Sequence, residues 1–599
     1  MSNTVADVVL SRLREWGVQQ IFGYPGDGIN GLLAAWGKVD GDPQFVQARH
    51  EEMSAFEAVG FAKFSGEAGV CVATSGPGGV HLLNGLYDAK LDHVPVVALV
   101  GQTERSAMGG SYQQEIDMLS LYKDVCSDFV QMCTVPQQIP NLIDRAFRVA
   151  KTEHAPTALI FPSDVFELEY EPPVHEFKQV PSSLGFNPAV ADPDPAGVTR
   201  AAEVLNAGER VAMLVGQGAR GCIEELTQVA DKLGAGCAKA LLGRDVLPDT
   251  LPWVTGAIGL LGTTASYRLM RDCDTLLTVG SNFPYTQFLP QLDQARGVQI
   301  DRSGKWIGMR YPNEVNLVGD SRTTLRQLLP LLDHKPDRSW RESVEHDVAQ
   351  WHETAQRQAM TDADPVNPMR IFHEFSERAP ANAIITADSG SSANWYARHI
   401  VFRDQMRGSL SGTLATMGAG VPYAIGAKWA HPGRPAIVFE GDGAMQMNGL
   451  AEMLTVARYW QQWQDPRLIV AVLHNNDLNQ VTWEQRAMSS SPKFAASQVL
   501  PEIDYAAFAL RIGLGGINVF ETDQLGDAWD QALSADKPVL LDVRCDPDIA
   551  PIPPHATLDQ VKSLGTAILK GDDDAWGVIR QGVKQKAQQY LPGTKREGS

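Results

Sequence analysis

An α/β protein of three doubly wound parallel-sheet domains is what these 599 residues predict. Short runs rich in Val, Ile and Leu recur along the chain. Among them are GVCVATSG (69–76), VPVVALVG (94–101), TALIFP (157–162), VAMLVG (211–216), DTLLTVG (274–280), NAIITAD (382–388), PAIVFEGDG (435–443), LIVAVLHNN (468–476) and PVLLDV (538–543). Continuous apolar runs suit strands buried on both faces, and helical patterns lie between them. Most of the runs end in Gly, Asp or Asn, and in parallel sheets ligands sit at those carboxyl ends.

Two stretches interrupt the rhythm. Residues 170–198 are proline-rich and read as a linker. Residues 334–368 begin charged and helical, end in TDADPVNP, and read as a second connector. The expected units are therefore 1–175, 190–335 and 365–545, followed by a tail over 546–599.

Composition narrows the class. Hydrophobic residues make up 44% and charged residues 20%, which is ordinary globular usage. A net charge of −20 argues against nucleic acid as a partner, so a phosphorylated ligand must be held by glycine loops, helix N-termini or a metal. The seven cysteines are scattered without a CxxC pair, as in a reducing compartment. The opening MSNTVADVVLSRLREWG is an amphipathic helix pattern, not a signal peptide. No run reaches the roughly 18 apolar residues of a membrane span. The expectation is a cytoplasmic protein.

The chemistry begins with PAIVFEGDG. This is a strand that runs into a tight loop, followed by a helix over NGLAEMLTVARYW with Asn448 as its expected cap. RLIVAVLHNN is the next strand. Neighbouring strands would bring Asp442 and Asn476 to one sheet edge. The flanking glycines let a ligand approach the backbone, and the helix N-terminus favours an anion. A carboxylate and an amide oxygen suit Mg²⁺, which keeps open positions for phosphate oxygens. A diphosphate anchored through a divalent ion fits this acidic chain.

GDG followed by NN resembles the thiamine diphosphate (ThDP) motif of the pyruvate oxidase and acetolactate synthase superfamily. The spacing is longer than usual, with YWQQWQDP (459–466) reading as an insertion. The similarity runs through nearly the whole chain and points to quinone-linked pyruvate oxidases and to acetolactate synthases. It implies a pyrimidine-binding domain, a central FAD-binding-like domain and a diphosphate-binding domain. It also implies that Asp442, Asn476 and the Leu478 carbonyl hold Mg²⁺, with Gly443 and Ala444 along the diphosphate.

ThDP chemistry needs a carboxylic acid to protonate the aminopyrimidine, and a glutamate in a dry pocket suits that task. In FVQARHEEMSAFEAVGFAKFSG (45–66) the resemblance assigns this role to Glu51, with Glu52 as a solvated or structural neighbour. The SGPG loop (Gly76, Pro77, Gly78) would meet the cofactor. In GTLATMGAGVPYAIGA (412–427), Met417 would wedge beneath the rings, beside Leu414, Ala415 and Thr416. In SYQQEID (111–117), Gln114 matches the family's substrate-facing glutamine, and the paired histidines of non-oxidative decarboxylases are missing.

VAMLVGQGARG carries Gly216-x-Gly218-x-x-Gly221 after a strand, a weak dinucleotide signal by itself. The middle domain adds Gly259, Leu260, Leu261 and Gly262, then Ser281, Asn282, Phe283, Pro284 and Tyr285, then Asp301. These resemble the flavin-binding segments of pyruvate oxidase, so FAD is expected. Implied is decarboxylation of pyruvate or another small 2-keto acid. Either electrons then pass to FAD and an external acceptor, or a second carbonyl compound is joined as in acetolactate synthase. The sequence leaves both open.

By the same resemblance the active site lies between subunits, giving a homodimer at minimum and a homotetramer as the expected assembly. DDDAWGVIRQGVKQKAQQYL (572–591) places Trp576, Ile579, Val583 and Tyr590 on one helix face. In quinone-linked oxidases such a helix meets the membrane. The thin apolar stripe here favours packing on the enzyme's own surface.

Overall fold

The computed structural model describes residues 3–403, 405–551 and Gln581. The amphipathic helix expected over 572–591, and with it most of the 546–599 tail, lies outside the described residues. The amphipathic opening forms the helix Val5–Glu15, capped by Thr4 in a capping box with Asp7.

Among the described residues the strands form three six-stranded sheets. The first holds β1 Gln20–Gly23, β2 Gln44–Gln47, β3 Gly69–Ala73, β4 Val96–Gln102, β5 Val130–Met132 and β6 Pro156–Pro162 in the order β2-β1-β3-β4-β6-β5. The second holds β7 Val211–Val215, β8 Gly236–Lys239, β9 Val254–Ala257, β10 Thr275–Val279, β11 Arg296–Asp301 and β12 Val315–Val318 in the order β12-β11-β10-β7-β8-β9. The third holds β13 Ile384–Ala387, β14 Arg407–Ser409, β15 Ala436–Gly441, β16 Leu468–His474, β17 Gly515–Val519 and β18 Val539–Arg544 in the order β14-β13-β15-β16-β18-β17. Every strand pair is parallel, with helices on both faces, as the apolar runs predict. The middle sheet switches strand order between β7 and β10, the topology of a dinucleotide fold.

The first and third sheets share one core. Val96, Ala98 and Val100 of β4 point into it, as do Leu468, Val470 and Val472 of β16. The alternate residues Val97 and Leu99, and Ile469, Ala471 and Leu473, enter separate outer cores. Each fully buried side chain of this kind contributes roughly 1.5–3 kcal/mol. Between the sheets, helix Glu51–Ser65 packs on helix Gly420–Ala430. A side chain at Gly60 would put its Cβ 2.6 Å from the Tyr423 backbone, and one at Gly426 would reach 2.2 Å from Glu57 O. Glycine is what lets the two helices come this close.

The 170–198 segment carries no regular element between Glu167 and the helix Pro195–Ala207. The 334–368 stretch differs from a plain connector. Its helix Ser339–Ala359 lays Val344, Val348 and Trp351 against the middle sheet's core, so it is a covering helix of that domain.

Candidate active site

The β15 and β16 strands are adjacent and in register, Gly441 beside Leu473. That register carries Asp442 to the turn after β16. Asp442 is 2% exposed. Its Oδ2 accepts N–H bonds from Asn475 (2.9 Å) and Asn476 (2.6 Å), and its Oδ1 accepts from Gly443 (2.9 Å). Burial pushes the carboxyl up to about 6 against the pull of these donors; a divalent cation would reverse that shift.

Asn476 sits in the left-handed region at φ 55°. Its Oδ1 lies 2.8 Å from His474 Nε2, and its Nδ2 donates to Glu502 Oε2 at 2.7 Å. Leu478 folds over the loop, its Cδ2 2.5 Å from where a Gly443 Cβ would stand. Leu478 O accepts from Thr482 N–H at 3.1 Å. The predicted metal set of Asp442, Asn476 and Leu478, with Gly443 and Ala444, is thus gathered at one loop pair.

One expectation is corrected here. Asn448 does not cap a helix. The helix starts at Asp442, and Asn448 lies inside it, within the π-helical turn Met445–Gly449. Such turns mark an extra residue in a helix and are frequent at functional sites. Both polar atoms of the Asn448 side chain are buried without a partner, and they lie where a Cβ on Gly418 would fall. Glu440, also buried with neither oxygen partnered, has its carboxyl pushed well up by burial and by Asp388.

The loop 411–418 hangs on the first domain and on Asp388. Gly418 and Gly420 N–H donate to Asp388, Ser389 Oγ donates to Thr416 O, and Thr413 N–H donates to Asp92 Oδ1. Leu414 and Met417 are half-buried, and Ala415 is held at φ 54°. Met417 is therefore not a core methionine.

On the first domain, His50 opens helix Glu51–Ser65 and receives the Glu52 N–H on its ring. Glu51 is 8% exposed. Its Oε1 lies 3.3 Å from where a Gly78 Cβ would be, and its Oε2 lies 3.0 Å from His81 Nδ1. Gln114, at φ 64°, packs on Gly76 and takes a hydrogen bond from Ser75 Oγ at 2.8 Å. Glu51, Gly76, Gly78 and Gln114 therefore converge, with the exposed Pro77 at the rim.

Asn84 bridges this group to the third domain, donating to Glu52 Oε1 (2.5 Å) and Thr416 Oγ1 (3.0 Å). No hydrogen bond or ion pair joins Glu51 or Gln114 to Asp442 or Asn476 among the described residues.

The middle domain gathers its predicted residues at the switch point. Gly218 N–H donates to Gly280 O, which sets Gly218 against Gly280 and Gly216 against Ser281. Gly259, at φ 97°, packs on Phe283 near Tyr285, and a Gly262-to-Gly259 bond closes the turn over Leu260 and Leu261. Asn282 Oδ1 accepts from Arg310 Nε at 3.1 Å, Pro284 is exposed, and Tyr285 is edge-on to Phe283. Asp301 ends β11, buried, its carboxyl raised chiefly by desolvation.

Sequence reasoning missed the residues that hold these groups. His474 lies between Asp542 (2.6 Å) and Asn476, and aims the amide. Burial opposes its charge, but Asp542 outweighs that and raises its pKa. The available signal was an Asp inside the apolar run PVLLDV. Asp388 had the signal of an Asp ending the run NAIITAD, while His81 and Asn84 carried no local signal.

The donor set fits Mg²⁺ and a diphosphate: a buried carboxylate, an amide oxygen and a carbonyl at a helix start, with the Gly441 Cα side open and the Asn448 amide unsatisfied nearby. Three family profiles match the chain, described as thiamine pyrophosphate enzyme N-terminal TPP binding domain (residues 3–121), central domain (198–328) and C-terminal TPP binding domain (388–543). The Bacillus subtilis protein YdaP, described as thiamine pyrophosphate-containing, is 32% identical over 95% of this chain and 96% of its own length. A probable acetolactate synthase large subunit of Methanocaldococcus jannaschii is 30% identical over 93% and 94%. Pyruvate oxidase of Lactiplantibacillus plantarum is 27% identical over 89% and 87%. With its three matched domains and relatives aligned almost end to end, the chain belongs to the thiamine pyrophosphate enzyme family.

Proposed function

We propose that this enzyme decarboxylates pyruvate or a related small 2-keto acid with ThDP and Mg²⁺, and passes the electrons through bound FAD to an external acceptor. The observation that carries the ThDP assignment is the pairing of Asp442 with the Asn475–Asn476 turn. Bound ThDP would supply a nucleophilic carbon and a cationic thiazolium ring able to accept the electron pair left when CO₂ departs. Asp442, Asn476 and the Leu478 carbonyl would hold Mg²⁺. Glu51 would keep a proton against the aminopyrimidine, and Gln114 would face the substrate. Met417, on a loop braced by Ser389 and Asp92, would support the rings.

The flavin reading draws on the switch-point strand order and on the gathering of Ser281, Phe283, Tyr285, Gly259 and Asp301 there. Mass spectrometry of cofactors released from purified enzyme tests it, and finding no flavin would remove the oxidase reading. Pyruvate-driven reduction of an artificial acceptor then separates oxidase from carboligase; acetoin after acid treatment marks the latter. The carboligase reading keeps its place because an acetolactate synthase relative is 30% identical over 93% of this chain, against 27% over 89% for the oxidase.

A second copy of the chain would complete the site, which makes a homodimer the minimum and a tetramer the expected assembly. Among the described residues, no hydrogen bond or ion pair joins Glu51 or Gln114 to Asp442 or Asn476 within one chain, which is consistent with this reading. Mixing Glu51→Gln with Asp442→Ala protomers tests it. Statistical exchange between two dead variants would restore about a quarter of wild-type activity if each site draws on both chains, and none if each site belongs to one. Among the described residues no helix is long and apolar enough to cross a membrane; we place the enzyme in the cytoplasm, where its dispersed thiols stay reduced.

A further inference from the structure

The middle and third domains enclose a cavity of about 310 Å³ away from the groups described above. Its walls are β9, helix Ser339–Ala359, helix Pro368–Arg378 and the end of helix Ser391–His399. None of the predicted ThDP, Mg²⁺ or flavin residues lines it. Its volume is at the low end for small-molecule sites, which span roughly 300–1,000 Å³, and is too small for a dinucleotide.

The wall is rich in cationic and imidazole groups. Arg244, Arg398 and His399 line it, as do His352 and His373, with Asp249 and Glu377 as its acidic members. Arg244 makes a two-pronged pair with Asp249, 2.9 Å on each side, and Lys239 Nζ binds the same carboxylate at 2.7 Å. Two buried cations thus share one anion. Burial lowers Lys239 to about 8 against the pull of Asp249, so at neutral pH it is still an ammonium and the group keeps a surplus positive charge.

Among the described residues, Arg244 Nε also lacks any hydrogen-bond partner, as does His399 Nε2 on a residue only 6% exposed. A helix C-terminus accounts for basic residue types at Arg398 and His399. It does not account for buried nitrogens left unsatisfied, each of which costs roughly 1–3 kcal/mol. An oxygen-rich anion would answer both the surplus charge and the open nitrogens.

We propose that this cavity binds a small oxyanion, a carboxylate or a phosphate, between the middle and third domains. The ligand touches both domains and so ties them together, independently of the chemistry at Asp442.

Isothermal titration of the ThDP- and Mg²⁺-loaded full chain tests this, with succinate and inorganic phosphate as separate probes in a buffer free of both. The expected result is one site per chain with a Kd below about 1 mM for one of the two probes, which also identifies the source. Ala355→Phe fills the cavity and keeps every charge; it should weaken that Kd at least about tenfold. Should that variant fail to fold, His399→Ala, which removes one open nitrogen, should weaken it about threefold or more. The proposal is overturned if neither probe binds below about 10 mM, or if the folded variant binds as the wild type does.

Discussion

The first and third domains run their six strands in one order, each pairing its second strand beside its first and its sixth beside its fourth. Equivalent loops then do different things. The turn after the second strand starts the Glu51 helix in one domain and carries the 411–418 loop in the other. The turn after the third strand is Ser75-Gly76-Pro77-Gly78 in one and Gly441-Asp442-Gly443 in the other. The turn after the fourth leads to Gln114 in one and opens on the paired asparagines in the other. On the proposed reading, one scaffold thus presents a proton-holding side and a metal-holding side. The two copies meet through the helix that follows the second strand in each. The difference teaches that the sheet sets only where a loop emerges, while its few residues choose the chemistry.

The largest expected effect breaks the metal side. Asp442→Ala should weaken Mg²⁺-dependent ThDP binding by more than about 100-fold, since even residues that only support a metal ligand are worth about 10–100-fold. Fluorescence titration with ThDP at fixed Mg²⁺ reads this, and unchanged affinity would remove Asp442 from the site. Glu51→Gln should break the proton side alone. ThDP affinity should stay within about threefold, while exchange of the coenzyme's acidic carbon-bound proton, followed by NMR, slows about 10²–10⁴-fold.

The joint between the two domains should be next. Gly426→Leu drives a side chain into the Glu57 backbone and should destabilise the chain by about 1–3 kcal/mol or more. Urea unfolding followed by near-ultraviolet circular dichroism measures the loss.

The smallest effect concerns acid stability. Burial pulls His399, on the third domain, down to about 3. The unfolded chain takes up this proton near 6.5, and the folded chain only near 3. Stability from the neutral ring is therefore complete above about 6.5 and falls as pH drops through that window. His399→Gln should flatten the acid limb of a thermal-stability profile between these values. An unchanged profile would mean the ring is not held neutral.

Much of this was legible along the chain because the signals are local. The strand runs, the loops that end them, and the Asp442 and Asn476 ends of consecutive strands follow from periodicity and turn chemistry, which need no knowledge of distant partners. Helix starts were less secure. Asn448 has a cap's residue type, yet the helix begins earlier at Asp442 and absorbs an extra residue in a π turn. That choice depends on what packs around Gly418, which local propensity does not contain.

By itself, then, the order of residues determined an α/β chain with an Asp–Asn loop pair and a helix-borne glutamate, because backbone geometry and residue chemistry act over a few positions. Tertiary structure alone decided that Asp542 would orient Asn476 through His474, that Asn84 would join Glu52 to Thr416, and that Lys239 and Arg244 would share one carboxylate at a domain boundary. Half of these contacts join residues far apart in the chain. Burial then gives each one its strength, and burial exists only once the sheets have packed.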